Sequence, residues 1–111
     1  MTADQFRKLA LAVPEALESA HQSHPDFRVR GKVFASLGYP DEAHGMVKVT
    51  PELQAQLMKA EPEVYFPAKG AWGRNGCTCV LLKKAKVVSV RSALKAAAAR
   101  VIIPTLPGRF P

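Results

Sequence analysis

Polar and apolar positions alternate along the chain in blocks, and the blocks predict a helix, a run of strands, a second helix, a further strand pair and a closing helix. Phe6, Leu9, Ala10 and Val13 recur at the helical spacing and form one apolar stripe. Thr2 and Gln5 stand where a capping box begins such a helix, and Pro14 disfavours helical geometry at Val13 and ends it. Residues 17–22 then predict a first strand. Phe27 and Val29 alternate with Arg28 and Arg30, Gly31 breaks the run, and residues 32–37 resume it with β-branched and aromatic side chains. This pattern predicts a hairpin turning at Arg30-Gly31, where glycine accepts a positive φ without the penalty of a β-carbon.

Residues 38–45 are a loop by composition, and residues 46–49 a short strand. Thr50-Pro51 predicts a helix start, because threonine caps and proline at the first helical position sacrifices no hydrogen bond. Leu53, Leu57 and Ala60 would form its buried stripe, and Glu61-Pro62 its end. Residues 65–71 read as irregular. Asn75-Gly76, the dipeptide suited to a type I′ turn, predicts a second hairpin over residues 72–82 in which Arg74 faces Cys77 and Trp72 faces Cys79. In the last helix Val90, Ala93, Leu94, Ala97, Ala98 and Val101 keep the helical period, with Ser89 as its cap and Pro104 as its end. The chain therefore reads as one α+β domain over residues 1–103, an antiparallel sheet backed by helices, followed by a flexible proline-rich tail over 104–111.

Charge changes this picture. The net charge is +7, and all nine acids lie in residues 1–63 beside seven bases, whereas residues 64–111 carry nine bases and no acid. An acid-free half can present an uninterrupted positive field, which favours an anionic partner such as nucleic acid or a phosphate-containing ligand. Arg28, Arg30 and Lys32 gather at the first hairpin tip, Arg74 at the second, and Lys83, Lys84 and Lys86 before the last helix. These seven are the candidate nucleic-acid contacts, although the first three also fit the solvated side of a one-faced sheet. Lysines before a helix start oppose its dipole unless an anion sits at the free N–H groups, so Lys84, Lys86, Ser89 and Arg91 form a candidate anion site. Trp72 reads either as a core residue or as an exposed platform on which a base could stack.

Other chemistry is sparse. Cys77 and Cys79 share one strand face, an arrangement poor for a mutual disulfide, and read as buried free thiols. With His21, His24 and His44 scattered, they supply no recognisable metal-ligand set. There is no Gly-rich phosphate loop, no nucleophile elbow and no carboxylate pair placed by spacing, so neither an enzyme nor a cofactor is expected. No apolar run approaches the roughly 18 residues of a membrane span, and the polar N-terminus lacks a signal-like segment, which together predict a cytoplasmic protein.

The segment 21–25, the Phe27-Arg28-Val29 strand, Gly31-Lys32-Val33-Phe34-Ala35, and residues 72–76 followed by a strand together resemble the MmcQ/YjbR-like family of small bacterial proteins. The resemblance extends to about Val101. It implies an α+β architecture like those of CyaY and secretion chaperones, and a role in DNA binding through two hairpin wings. The sequence departs from the family pattern at Gln22, where a tryptophan is common. It departs again in the last helix, which begins Lys86-Val87-Val88-Ser89 and continues into an alanine run rather than carrying acids and an aromatic. The expected function is low-specificity DNA binding. The alternative is a protein-interaction or small-ligand module of the same fold, using the open sheet face.

Overall fold

The structure, a computed structural model, describes residues 1–21 and 24–102, with the side chain of His21 left aside. The expected proline-rich tail lies outside the described residues. In chain order the elements are α1 (Ala3–Leu11), β1 (Leu17–His21), β2 (His24–Val29), β3 (Lys32–Leu37), β4 (His44–Lys48), α2 (Pro51–Ala60), β5 (Tyr65–Pro67), α3 (Gly70–Arg74), β6 (Cys77–Leu81) and α4 (Val87–Ile102). The six strands form one sheet in the order β1-β2-β3-β4-β6-β5, with every neighbouring pair antiparallel.

Local chemistry accounts for most of these elements. The Thr2 hydroxyl accepts the Gln5 N–H at 3.1 Å while the Gln5 amide oxygen accepts the Thr2 N–H at 2.8 Å, which completes the capping box of α1. The Thr50 hydroxyl accepts from Leu53 N at 3.1 Å, with Pro51 behind it, and so starts α2. At the first hairpin Arg30 and Gly31 have φ of +54° and +80°, the paired positive values of a type I′ turn, and Val29 stands opposite Lys32. A bulge between Phe27 and Arg28 shifts the register behind that turn.

One sheet face is covered by helices. Val90, Ala93, Leu94, Ala97 and Ala98 of α4 are buried against β3 and β4, and Phe6 and Ala10 of α1 join the same core with Phe27, Val29, Phe34, Ala35, Val47 and Val80. The anticipated stripe of α2 is corrected: no residue of this helix is fully buried, Leu53, Leu57 and Met58 are half-buried, and Ala60 is exposed. The helix lies against the short edge strand β5 rather than over the sheet centre, so half its stripe meets solvent.

The second hairpin is also corrected. Residues 70–74 form α3, and Asn75 takes φ −89° and ψ 4° rather than the positive φ that a type I′ turn requires. Of the Asn75-Gly76 pair only Gly76, at φ +105°, enters the left-handed region. It does so just past a helix end, with Asn75 N bonded to Ala71 O at 3.0 Å and Gly76 N to Gly73 O at 3.0 Å. Asn-Gly here terminates a helix, the other geometry for which a glycine with positive φ is suited. Cys79 consequently faces Met46 and Phe66 instead of Trp72, and Cys77 faces Lys48 instead of Arg74. The segment 65–71, expected to be irregular, supplies β5 and the first two residues of α3.

Candidate functional site

Strand register distributes the candidate cations between the two ends of the sheet. Lys48 pairs with Cys77, Pro67 with Thr78 and Val29 with Lys32, so the Arg30-Gly31 tip, the end of β4, the start of β6 and α3 lie at one end. His44 pairs with Leu81 and Leu37 with Gly45 at the other end, and the chain leaves Leu81 there through a 3₁₀ turn at Leu82–Lys84. The seven candidate contacts therefore fall into two groups that the fold separates: Arg28, Arg30, Lys32 and Arg74 at one end, and Lys83, Lys84 and Lys86 at the other. Between β3 and β6 lies one strand, a lateral span of about 10 Å.

Three of the seven candidate contacts have carboxylate partners. Arg28 grips Asp26 with both ends of its guanidinium, at 2.8 and 3.0 Å. Asp26 is fully buried and the Arg28 side chain is 34% exposed, and the hydrogen bond to Asp26, then its charge, hold Arg28 all the more firmly protonated. Arg30 reaches Glu15 at 3.4 Å, and Lys84 reaches Glu63 at 2.6 Å. Lys84 in turn draws the Glu63 carboxyl below its ordinary range. Lys32, Arg74, Lys83 and Lys86 make no ion pair among the described residues. Two further cations that the sequence reading passed over, Lys48 and Lys69, join Arg74 at its end of the sheet, equally without an ion pair among the described residues.

The start of α4 is organised differently from expectation. Val90 N donates to Lys86 O at 3.0 Å, so the helix begins at Val87 and Ser89 lies inside its first turn instead of capping it. The Ser89 hydroxyl donates to Glu61 at 2.6 Å and therefore accepts the Tyr65 hydroxyl, 2.5 Å away. Glu61 supplies at this first turn the negative charge that the dipole would otherwise draw from solution. Burial is the main cause that pushes the Tyr65 phenol up. The second oxygen of Glu61 is buried without a hydrogen bond among the described residues, beside a shallow cleft of about 260 Å³ that Lys84 and Lys86 also line. Arg91 lies elsewhere, with Lys95 in a cleft of about 200 Å³ between α1 and α4. Of the four residues expected to gather around one anion, Lys84 and Lys86 thus line the cleft beside Glu61, Ser89 bonds to that carboxylate, and Arg91 stands apart.

Trp72 is 67% exposed, which settles its alternative readings against the core. The nine residues from Phe66 to Arg74 carry two exposed aromatics, Phe66 at 37% and Trp72, and two exposed cations, Lys69 and Arg74, with no acid among them.

Cys77 and Cys79 are free and buried, and with Ala68, Tyr39 and Met46 they form a small second cluster on the face away from α4. Burial, then the neighbouring Cys77 and Asp41, push the Cys79 thiol up to about 11, and burial also raises Cys77. A thiol whose folded pKa exceeds its unfolded value stabilises the fold below the unfolded pKa and ceases to do so as pH rises through the folded one. Native protein should therefore react slowly with a thiol reagent at neutral pH and quickly after denaturation, with stability falling as pH climbs from about 9 towards 11. Immediate labelling of both thiols in native protein would contradict their burial. Elsewhere on the sheet His44 bonds to Asp41 at 2.8 Å, which lowers the Asp41 pKa, and its ring meets Phe66 edge-on at 5.3 Å. No group of three or more His, Cys, Asp or Glu suited to a metal occurs among the described residues.

These features define a small single-sheet α+β domain, with helices on one face and an aromatic and cationic segment at one sheet end. The chain belongs to the YjbR family, whose model matches residues 11–102. It is similar in fold to the solved structure of Deinococcus radiodurans protein DR2400, which carries the domain DUF419. The TM-score is 0.77 at 18% identity, covering 96% of this chain and 83% of that one. Comparison with curated proteins gives no match. No helix among the described residues is long and apolar enough to cross a membrane.

Proposed function

We propose that this protein binds DNA with low sequence specificity, through phosphate contacts at the sheet end that carries α3. The observation that supports this reading is the grouping of Lys32, Lys48, Lys69 and Arg74 there, none of them ion-paired among the described residues. The acids near this end among the described residues include Glu15, engaged with Arg30, Asp26, engaged with Arg28, and Glu52 in the first turn of α2, and the cations outnumber them. Cations without a carboxylate partner suit phosphate oxygens, and contacts of that kind position a protein on DNA without reading its sequence.

Binding to an arbitrary labelled duplex should show a Kd of ~10⁻⁴–10⁻⁶ M near physiological salt, with log affinity falling by ~0.9 per phosphate contacted for each decade of salt. Replacing Lys69 and Arg74 together by alanine should flatten that slope by about two. Replacing Lys83 and Lys86, at the opposite end, should leave it unchanged. Arg28→Ala should lower stability, because it removes the two charge-assisted hydrogen bonds that Arg28 makes to the buried Asp26, without altering the slope. Fluorescence anisotropy at several salt concentrations, with circular dichroism of each variant, measures all of this. An affinity no greater than that of an unrelated protein of equal charge would defeat the proposal and favour an interaction module on the helix-free face. So would a folded double variant with the wild-type slope.

A further inference from the structure

We infer that the preferred ligand at this sheet end is single-stranded DNA, with a base stacked on Trp72. The inference rests on the DNA-binding reading and specifies the form of nucleic acid.

The exposure of Trp72 is imposed by the backbone. Gly73, the next residue, is buried, and a β-carbon there would lie 1.9 Å from Ala68 O, so α3 can seat itself only with this position inward. The Gln54 amide nitrogen secures the seat by donating to Gly73 O at 3.0 Å, Cys77 O at 3.1 Å and Thr78 Oγ1 at 3.0 Å. Arg100 closes the far side by donating to Asn75 O at 2.6 Å and to Val49 O. With Gly73 fixed inward, Trp72 is carried outward. A free indole of this size forgoes the burial that large aromatics ordinarily obtain, and here it is held on a fixed support with Lys69 and Arg74 on either side in sequence.

An aromatic face flanked by cations matches what an unpaired strand offers, namely exposed base faces alternating with phosphates. A duplex offers the phosphates alone. Its bases are already stacked, and wedging an indole between them would cost a few kcal/mol for each opened step. A purely apolar partner is disfavoured by the same cations, which would have to be desolvated without a counter-charge.

Trp72 is the one tryptophan of the chain, so intrinsic fluorescence reports directly on this site. Titration with an oligothymidylate of about 12 nucleotides, within the footprint of small single-strand binders, should quench the emission to saturation. Affinity should exceed that for a duplex of equal length at equal salt. Trp72→Leu should weaken single-strand binding by about 5- to 150-fold, the range spanned by one stacked base, and leave duplex binding unchanged. Trp72→Phe should recover part of the loss. Lys69→Ala should weaken both forms alike and lower both salt slopes. Equal or tighter duplex binding, saturation without quenching, or unaltered single-strand affinity in folded Trp72→Leu would each overturn this inference while leaving phosphate-directed DNA binding in place. Failure to bind either form would overturn both readings.

Discussion

Gly76→Ala is expected to lower stability by about 3 kcal/mol or more, far beyond the effect of the same change at Gly31, because backbone approach adds to backbone strain. Both glycines have positive φ, +105° at Gly76 and +80° at Gly31. A β-carbon at Gly31 would meet nothing within 4 Å, so that substitution carries only the left-handed penalty of roughly 1–2 kcal/mol. At Gly76 it would lie 1.8 Å from Val49 O and 2.6 Å from the Arg100 guanidinium. The first of these is backbone and cannot swing aside. Relief would separate the start of β6 from the end of β4, where Val49 N donates to Gly76 O at 3.3 Å, and would break the grip of Arg100 on the Val49 carbonyl. Against a total of about 5–15 kcal/mol for a domain, such a loss should move the guanidinium midpoint visibly. If Gly76→Ala and Gly31→Ala shifted the midpoint equally, the close packing of β4 against β6 at this end would be wrong. The emission of Trp72 should shift as well, since α3 hangs from the same corner.

Most of this fold is legible in residue patterns because it rests on local chemistry. Thr2 and Gln5, Arg30 and Gly31, Thr50 and Pro51, and the stripe from Val90 to Ala98 each act over a few residues, and each specifies one geometry. Asn75-Gly76 does not. A glycine with positive φ serves a hairpin or a helix end equally, and the choice fell to the seating of α3, where Gly73 fits closely against Ala68 and its carbonyl accepts from Gln54 on another helix. Ser89 failed as a cap for a related reason: its hydroxyl is claimed by Tyr65 and Glu61, more than 20 residues away in the chain.

The candidate site was legible in part. Arg74, Lys32 and the stacking reading of Trp72 could be named from composition and spacing, but separating Lys83 and Lys86 from them required the strand order. The Asp26-Arg28 pair carried a usable signal, since residues two apart on a strand share a face, and opposite charges there neutralise each other. Lys48 and Lys69 left no such trace. Their relevance follows from β4 ending, and α3 beginning, at the same end of the sheet.

Phe6→Ala should cost about 3–5 kcal/mol, the penalty of an emptied aromatic site in a core that cannot fully collapse. Phe6 is completely buried and joins α1 to the sheet, its ring 6.2 Å from that of Phe27 and tilted by 57°. Its fit depends on Gly45 of β4, where a β-carbon would stand 2.8 Å from Cε2 and 2.9 Å from Cζ of the Phe6 ring. The obstruction at Gly45 is a ring edge rather than backbone, so Gly45→Ala should cost less, about 1–3 kcal/mol. A leucine at position 6 withdraws the ring edge and makes room for the added methyl. The double variant Phe6→Leu with Gly45→Ala should accordingly be more stable than the sum of its single variants implies, by more than about 0.5 kcal/mol. Urea denaturation of the four proteins completes the cycle. Strict additivity would show that α1 does not seat Phe6 over Gly45. Both residues lie on the helix-covered face, away from α3, so folded Gly45→Ala should keep the wild-type affinity for single-stranded DNA.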